Sequence, residues 1–126
     1  MITLLVDTDI LIEVLRRRDQ RLLDEWTTLS KSDAMVLYSP VTEAEIFQGV
    51  LDHERPDVVD GLASLTCLEI DSYIGRRAGN YLRDYKKSHD LQIADALIAA
   101  TASVHQLRLW TRNRKHFPMK DVHFFG

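Results

Sequence analysis

Short apolar runs alternate with longer stretches of helical period along the whole chain. Ile2–Val6 is a nearly unbroken apolar run stopped at Asp7, which predicts a buried strand. From about Thr8 to Arg17 the period turns helical, with Leu11, Ile12 and Leu15 on the inner face, and Gln20–Lys31 repeats it. Met35–Tyr38 reads as a short strand. Ser39-Pro40 then opens a helix that runs to about Leu51, because serine caps free amides and proline needs no N–H at the first helical position. Arg55–Leu65 predicts a further helix and Cys67–Ile70 a third strand. Asp71–His89 is a long amphipathic helix with Ile74, Ala78, Leu82 and Tyr85 in register. Gln92–Gln106 is apolar almost all round and should lie deep, and Arg108–Thr111 and Val122–Phe124 are the last strands. Strands alternating with helices imply an α/β fold, a parallel sheet with helices on both faces. Ligands bind such sheets beyond the carboxyl ends of the strands.

A length of 126 residues argues for a single domain spanning 1–126. With 45% hydrophobic and 28% charged residues, the chain is too apolar for disorder. One cysteine, Cys67, excludes an internal disulfide framework and a thiolate zinc cluster. The apolar start lacks a basic leader, and no run approaches the ~20 residues that cross a bilayer. A cytoplasmic protein without membrane partners is expected. A net charge of -3 and a pI near 5.9 count against nucleic-acid binding. That objection weakens if several carboxylates share a divalent cation, which reverses the local sign. Local basic clusters exist at Arg16–Arg18, Arg76-Arg77, Lys86-Lys87 and Arg112–Lys115.

Asp7 follows the first strand, at the edge where such a sheet builds its site. It suits a metal ligand and a helix N-cap equally. Asp9, in the first helical turn, suits the helix dipole better than a ligand role. Asp95 is the only charged residue between Ile93 and Val104. A carboxylate in such a run needs a cation, a metal ion or the rim of a cleft, since burying it alone costs several kcal/mol. Thr42-x-x-Glu45 matches a capping box, while Gly49, one turn beyond Glu45, leaves room for an ion or substrate. Glu43 is the rival carboxylate, and spacing does not decide between the two. Thr111-Arg112-Asn113-Arg114 follows the fourth strand and supplies a hydroxyl, an amide and two cations.

In order along the chain, these segments resemble the PIN-domain family, and within it the VapC-like toxins. Leu5-Val6-Asp7-Thr8-Asp9-Ile10-Leu11 is similar to the family's first motif, and Ser39-x-x-Thr42-x-x-Glu45-Ile46-x-x-Gly49 to its second. Asp95–Ala102 is similar to the third, and Thr111-Arg112-Asn113 with His116-Phe117 to the fourth. The resemblance implies a three-layer α/β/α fold on a five-stranded parallel sheet. It implies an endoribonuclease dependent on Mg²⁺ or Mn²⁺, acting on single-stranded or looped RNA, and both a homodimer and a cognate antitoxin that blocks the site. Asp7, Glu45 (rather than Glu43) and Asp95 then take the acidic places as metal ligands. Asn113 stands where many relatives carry a fourth aspartate, which puts the number of ions in question. Thr8, Thr111 and Arg112 fall on the substrate side, with Arg112 suited to grip a phosphate.

Two rivals keep a place. Asp7-Thr8-Asp9 imitates the Asp-x-Asp of haloacid-dehalogenase-like phosphatases, although the glycine usual after that pair is missing. A non-catalytic RNA-binding module on a PIN fold would explain Asn113. Trp26, Tyr81 and Tyr85 are candidates for an apolar dimer surface.

Overall fold

The computed structural model describes residues 1–126. Its centre is β1 (Thr3–Val6), in which Leu4, Leu5 and Val6 are wholly buried. On one side β1 pairs in parallel with β2 (Met35–Tyr38), Leu5 opposite Leu37; on the other it pairs with β4 (Arg108–Trp110), Val6 opposite Trp110. β3 (Thr66–Cys67) and β5 (His123–Phe124) add the edges, giving a five-stranded parallel sheet in the order β3-β2-β1-β4-β5.

Side-chain alternation splits the core into two layers. Leu5, Leu37 and Leu109 face α5 (Ser72–His89) and α6 (Ile93–Val104). Ala96, Ala99, Ala100 and Ala102 are fully buried there, and their small side chains let α6 lie close to the sheet. Leu4, Val6, Tyr38 and Trp110 face the opposite layer, built from α1 (Thr8–Arg16), α2 (Gln20–Ser30), α3 (Pro40–Gly49) and α4 (Arg55–Ala63). No helix is long and apolar enough to cross a membrane.

Several expected boundaries shift, each for a local reason. α1 stops at Arg16 because Arg17 turns left-handed (φ 56°) and returns its N–H to Glu13. α3 ends at Gly49, and a 3-10 turn at Asp52–Glu54 leads into α4. β3 ends at Cys67 rather than Ile70: Leu68 makes one more backbone bond to Tyr38, then Leu68 and Ile70 pack against the α5–α6 layer. α6 is deep as expected, except that Ile93 at its start is 65% exposed.

Of the three aromatic residues expected on an apolar surface, only Tyr81 is buried, while Trp26 and Tyr85 are partly buried. The Tyr81 hydroxyl donates to Asp121 at 2.8 Å. Trp26 stacks on Trp110 with ring centroids 5.9 Å apart, and Tyr85 packs against the core. Leu51, Val59, Tyr73 and Ile93 are the large apolar side chains exposed on the helices and their connections.

Candidate functional site

The carboxyl ends of β1 and β4 stand side by side, so the residues that follow them meet. Asp7 ends β1 and caps α1: its Oδ1 accepts the Thr8 N–H at 2.8 Å. Its Oδ2 accepts the Thr111 hydroxyl at 2.7 Å, across the β1–β4 seam. The structure therefore shows the helix cap, and the cap keeps Asp7 at the sheet edge where a ligand would also stand. Asp7 is 6% exposed, and its carboxyl is pushed up to about 7. Burial is the main cause. The Thr111 hydroxyl and Thr8 N–H oppose it, while the charges of Asp9 and Asp95 add to it. Thr111→Val is expected to destabilise the fold by about 1–3 kcal/mol, because a buried carboxylate oxygen loses its donor. Urea midpoints at pH 8 would measure it.

Asp9 is more than a dipole partner. Its Oδ1 takes the Ile10 N–H, and its Oδ2 takes both the Arg112 main-chain N–H at 3.0 Å and the Asn113 side-chain amide at 3.2 Å. An aspartate at 113 would face Asp9 as a like charge; asparagine donates to it instead. Asn113 also gives its main-chain N–H to the Thr111 hydroxyl at 3.0 Å.

The two glutamates of α3 part ways. Glu45 accepts the Thr8 hydroxyl at 2.7 Å, beside Asp7. Glu43 accepts the Tyr38 hydroxyl at 2.9 Å and stays out of the acidic group. The capping box does not form: Ser39 caps α3, and the wholly buried Thr42 hydroxyl lies 2.9 Å from that of Thr8. Because Thr8 donates to Glu45, its oxygen must accept from Thr42. A two-hydroxyl chain therefore orients Glu45. Spacing marked Thr42 as a cap for its own helix and gave no sign of its partner Thr8, 34 positions away.

Asp95, in the first turn of α6, is half-buried and its carboxyl is raised. Burial is the main cause, with Glu45 and Asp9 adding to it and His116 opposing. His116 Nδ1 lies 3.9 Å from its Oδ2, a neighbour that the sequence showed only as part of a motif. The guanidinium of Arg112 is engaged rather than free, paired with Asp19 at the start of α2. Asp19 also caps α2 through the Leu22 N–H, and that bond, followed by Arg112, holds its carboxyl below the usual range.

Asp7, Asp9, Glu45 and Asp95 are thus gathered at one sheet edge, each within electrostatic reach of another. The structure's ion pairs use Glu13, Asp121, Asp84, Asp19 and Asp95, which leaves Asp7, Asp9 and Glu45 without a cationic side chain. No three acidic, histidine or cysteine side chains close directly around one point. The all-oxygen donor set still fits a hydrated Mg²⁺, which keeps several waters and needs only one or two carboxylates directly. A groove of about 770 Å³ opens from Glu45 between α1, α3 and α4, floored by Leu11, Ile46 and Val58. Nothing stands within 4 Å of a Cβ placed at Gly49, so the room expected there is real.

The PIN domain family model matches residues 4–122. Ribonuclease VapC10 of Mycobacterium tuberculosis is 40% identical over 92% of this chain and 86% of its own length. A toxin–antitoxin complex from Klebsiella pneumoniae contains a chain with a TM-score of 0.75 and 28% identity, covering 94% of this chain and 93% of that one. DNA-bound VapBC from Salmonella typhimurium shares the fold, with a TM-score of 0.80 at 21% identity, over 99% of this chain and 98% of that one. The Asp7-Thr8-Asp9 segment, at the turn from β1 into α1, is therefore part of a PIN-family opening motif and not that of a phosphatase. The chain belongs to the PIN-domain family, in its VapC branch.

Proposed function

We propose that this protein is a Mg²⁺- or Mn²⁺-dependent endoribonuclease, the toxin of a toxin–antitoxin pair. The observation that carries the reading is the buried Asp7, held beside Asp9 and Asp95 with no cationic side chain of its own. A protein gains nothing in stability from that arrangement, so a divalent cation is its natural complement. The 40% identity to a protein named a ribonuclease supports the same reading.

Asp7, Glu45 and Asp95 would hold the ion, with Asp9 adjoining. When bound, Mg²⁺ supplies an activated water and charge stabilisation for in-line displacement at a phosphodiester. The chain's own residues keep the acids in place. Thr111 and the Thr8 amide fix both oxygens of Asp7, the Thr42–Thr8 hydroxyls orient Glu45, and Asn113 ties Asp9 to the end of β4. Single-stranded RNA suits an open edge of this kind, because its backbone reaches the acids without unpairing a duplex.

The same reading includes a homodimer, a cytoplasmic location and a cognate antitoxin. The groove beginning at Glu45 offers an antitoxin segment an apolar bed that leads to the acids, which is how such a partner would block them. The test is cleavage of a single-stranded RNA under Mg²⁺ titration, with Asp95→Asn as control. Cleavage is expected only with Mg²⁺ or Mn²⁺, and the variant should lose at least about two orders of magnitude in rate. Cleavage that survives chelation, or hydrolysis of a phosphomonoester in place of RNA, would sink the reading. RNA binding without cleavage would favour the non-catalytic module.

A further inference from the structure

Beside Asp9 and Asn113, a second pocket of about 230 Å³ opens between the start of α2 and the end of β4. Trp110 and Leu22 line its apolar part. Its charged lining is three guanidinium groups, from Arg21, Arg112 and Arg114, against two carboxylates, Asp19 and Glu25. Arg114 is a fixed charge: it donates to the main-chain oxygens of Phe125 at 3.1 Å and Gly126 at 2.6 Å. Asp19 already occupies what this pocket offers an anion. Its Oδ1 takes the Leu22 N–H at 3.1 Å, in the first turn of α2, and its Oδ2 takes the Arg112 guanidinium. Of these two donors the Arg112 guanidinium is the one that can change partner, and arginine receives phosphate oxygens as it does carboxylate oxygens. The place adjoins the acids, because the main-chain N–H of Arg112 is bonded to Asp9. The Asp19 and Arg112 side chains are 35% and 43% exposed, so their pairing is reachable and costs little to open.

We infer that this pocket is a phosphate subsite for the RNA backbone and that Asp19 is its internal stand-in. The inference rests on the ribonuclease reading above. A strand lying across the acids places a neighbouring phosphodiester against Arg112, with Arg21 and Arg114 beside it, and displaces Asp19 Oδ2. Asp19 Oδ1 stays on Leu22, so α2 keeps its cap. The subsite positions the strand and takes no part in bond breaking.

The experiment measures binding of a single-stranded RNA oligonucleotide in Mg²⁺ across a salt series, in an Asp95→Asn background that removes cleavage. Asp19→Asn retains the cap, since asparagine caps as well as aspartate, but no longer competes as an anion. It should bind RNA about fivefold more tightly. Arg112→Ala should bind more weakly, with a salt slope reduced by about 0.7 for the one phosphate it no longer neutralises. Combined with Arg112→Ala, Asp19→Asn should gain nothing. Asp33→Asn, an exposed acid in the α2–β2 connection, controls for net charge and should leave affinity nearly unchanged. Equal or weaker binding by Asp19→Asn overturns the inference, as does a gain that persists without Arg112 or is matched by Asp33→Asn. If the parent chain also cuts RNA in Mg²⁺, only the subsite falls. If it neither binds nor cuts RNA, the ribonuclease reading falls with it.

Discussion

Asp7→Asn should abolish RNA cleavage and at the same time make the metal-free protein more stable at pH 8. The Asp7 carboxyl sits at about 7 in the fold, against 3.8 for the free side chain. Below about pH 4 both the folded and unfolded chains carry the proton, and Asp7 costs nothing. Between about pH 4 and 7 the unfolded chain releases the proton while the folded chain keeps it, so stability falls as pH rises. Above about 7 the loss is complete, on the order of a few kcal/mol. Asparagine keeps the α1 cap and has no such slope. The gain from Asp7→Asn should therefore be near zero at pH 4 and largest at pH 8, read as a shift in urea midpoint at unchanged m. Added Mg²⁺ should narrow the difference by stabilising the native protein and leaving the variant unmoved. A variant less stable than the native chain at pH 8 without metal would show that Asp7 is a structural carboxylate.

Trp110→Ala should cost about 3–5 kcal/mol, with a fall in Tm of about 10 °C or more. Trp110 is 5% exposed and lies between Trp26, stacked at 5.9 Å, and Phe125, edge-on at 5.4 Å. It joins β4, α2 and the chain's last residues. Its main-chain oxygen accepts the Asp7 N–H at 2.9 Å, so the cavity would open directly under the acidic edge. Differential scanning calorimetry gives the Tm. A loss below about 1 kcal/mol would mean that the site can collapse around the missing ring. The chain's two tryptophans are the two members of this stack, so intrinsic fluorescence follows it specifically.

The sequence made the sheet and its main helices readable because their signals are local. A run such as Leu4-Leu5-Val6, or the spacing of Ile74 and Ala78, carries its own period. β3 was harder: an edge strand has one neighbour, and Leu68 and Ile70 look like strand residues while serving as packing for α5. Tyr85 fell in register with the apolar face of its helix, whereas periodicity did not place Trp26, a large ring at the border of a helix's buried face, or Tyr81, which is buried. Among the acids, Asp7 and Asp95 stood out against apolar surroundings. What spacing could not show were the long-range partners: Thr42 for Thr8, Asn113 for Asp9, Asp19 for Arg112. Those depend on which strand ends the topology sets side by side.

The order of strands in the sheet is not the order of their synthesis. β1 is made first, yet its neighbour β4 comes about a hundred residues later, and the Thr111–Asp7 and Asn113–Asp9 bonds each span 104 positions. A growing chain that has not reached Arg108 leaves β1 as an open edge, with Asp7 and Asp9 lacking their partners from the end of β4. Contacts of such range are slow to form and arrive late in folding. Under the ribonuclease reading, an unfinished chain carries no assembled acidic centre. The enzyme stays silent until its last strands have left the ribosome, and a prematurely terminated product is harmless.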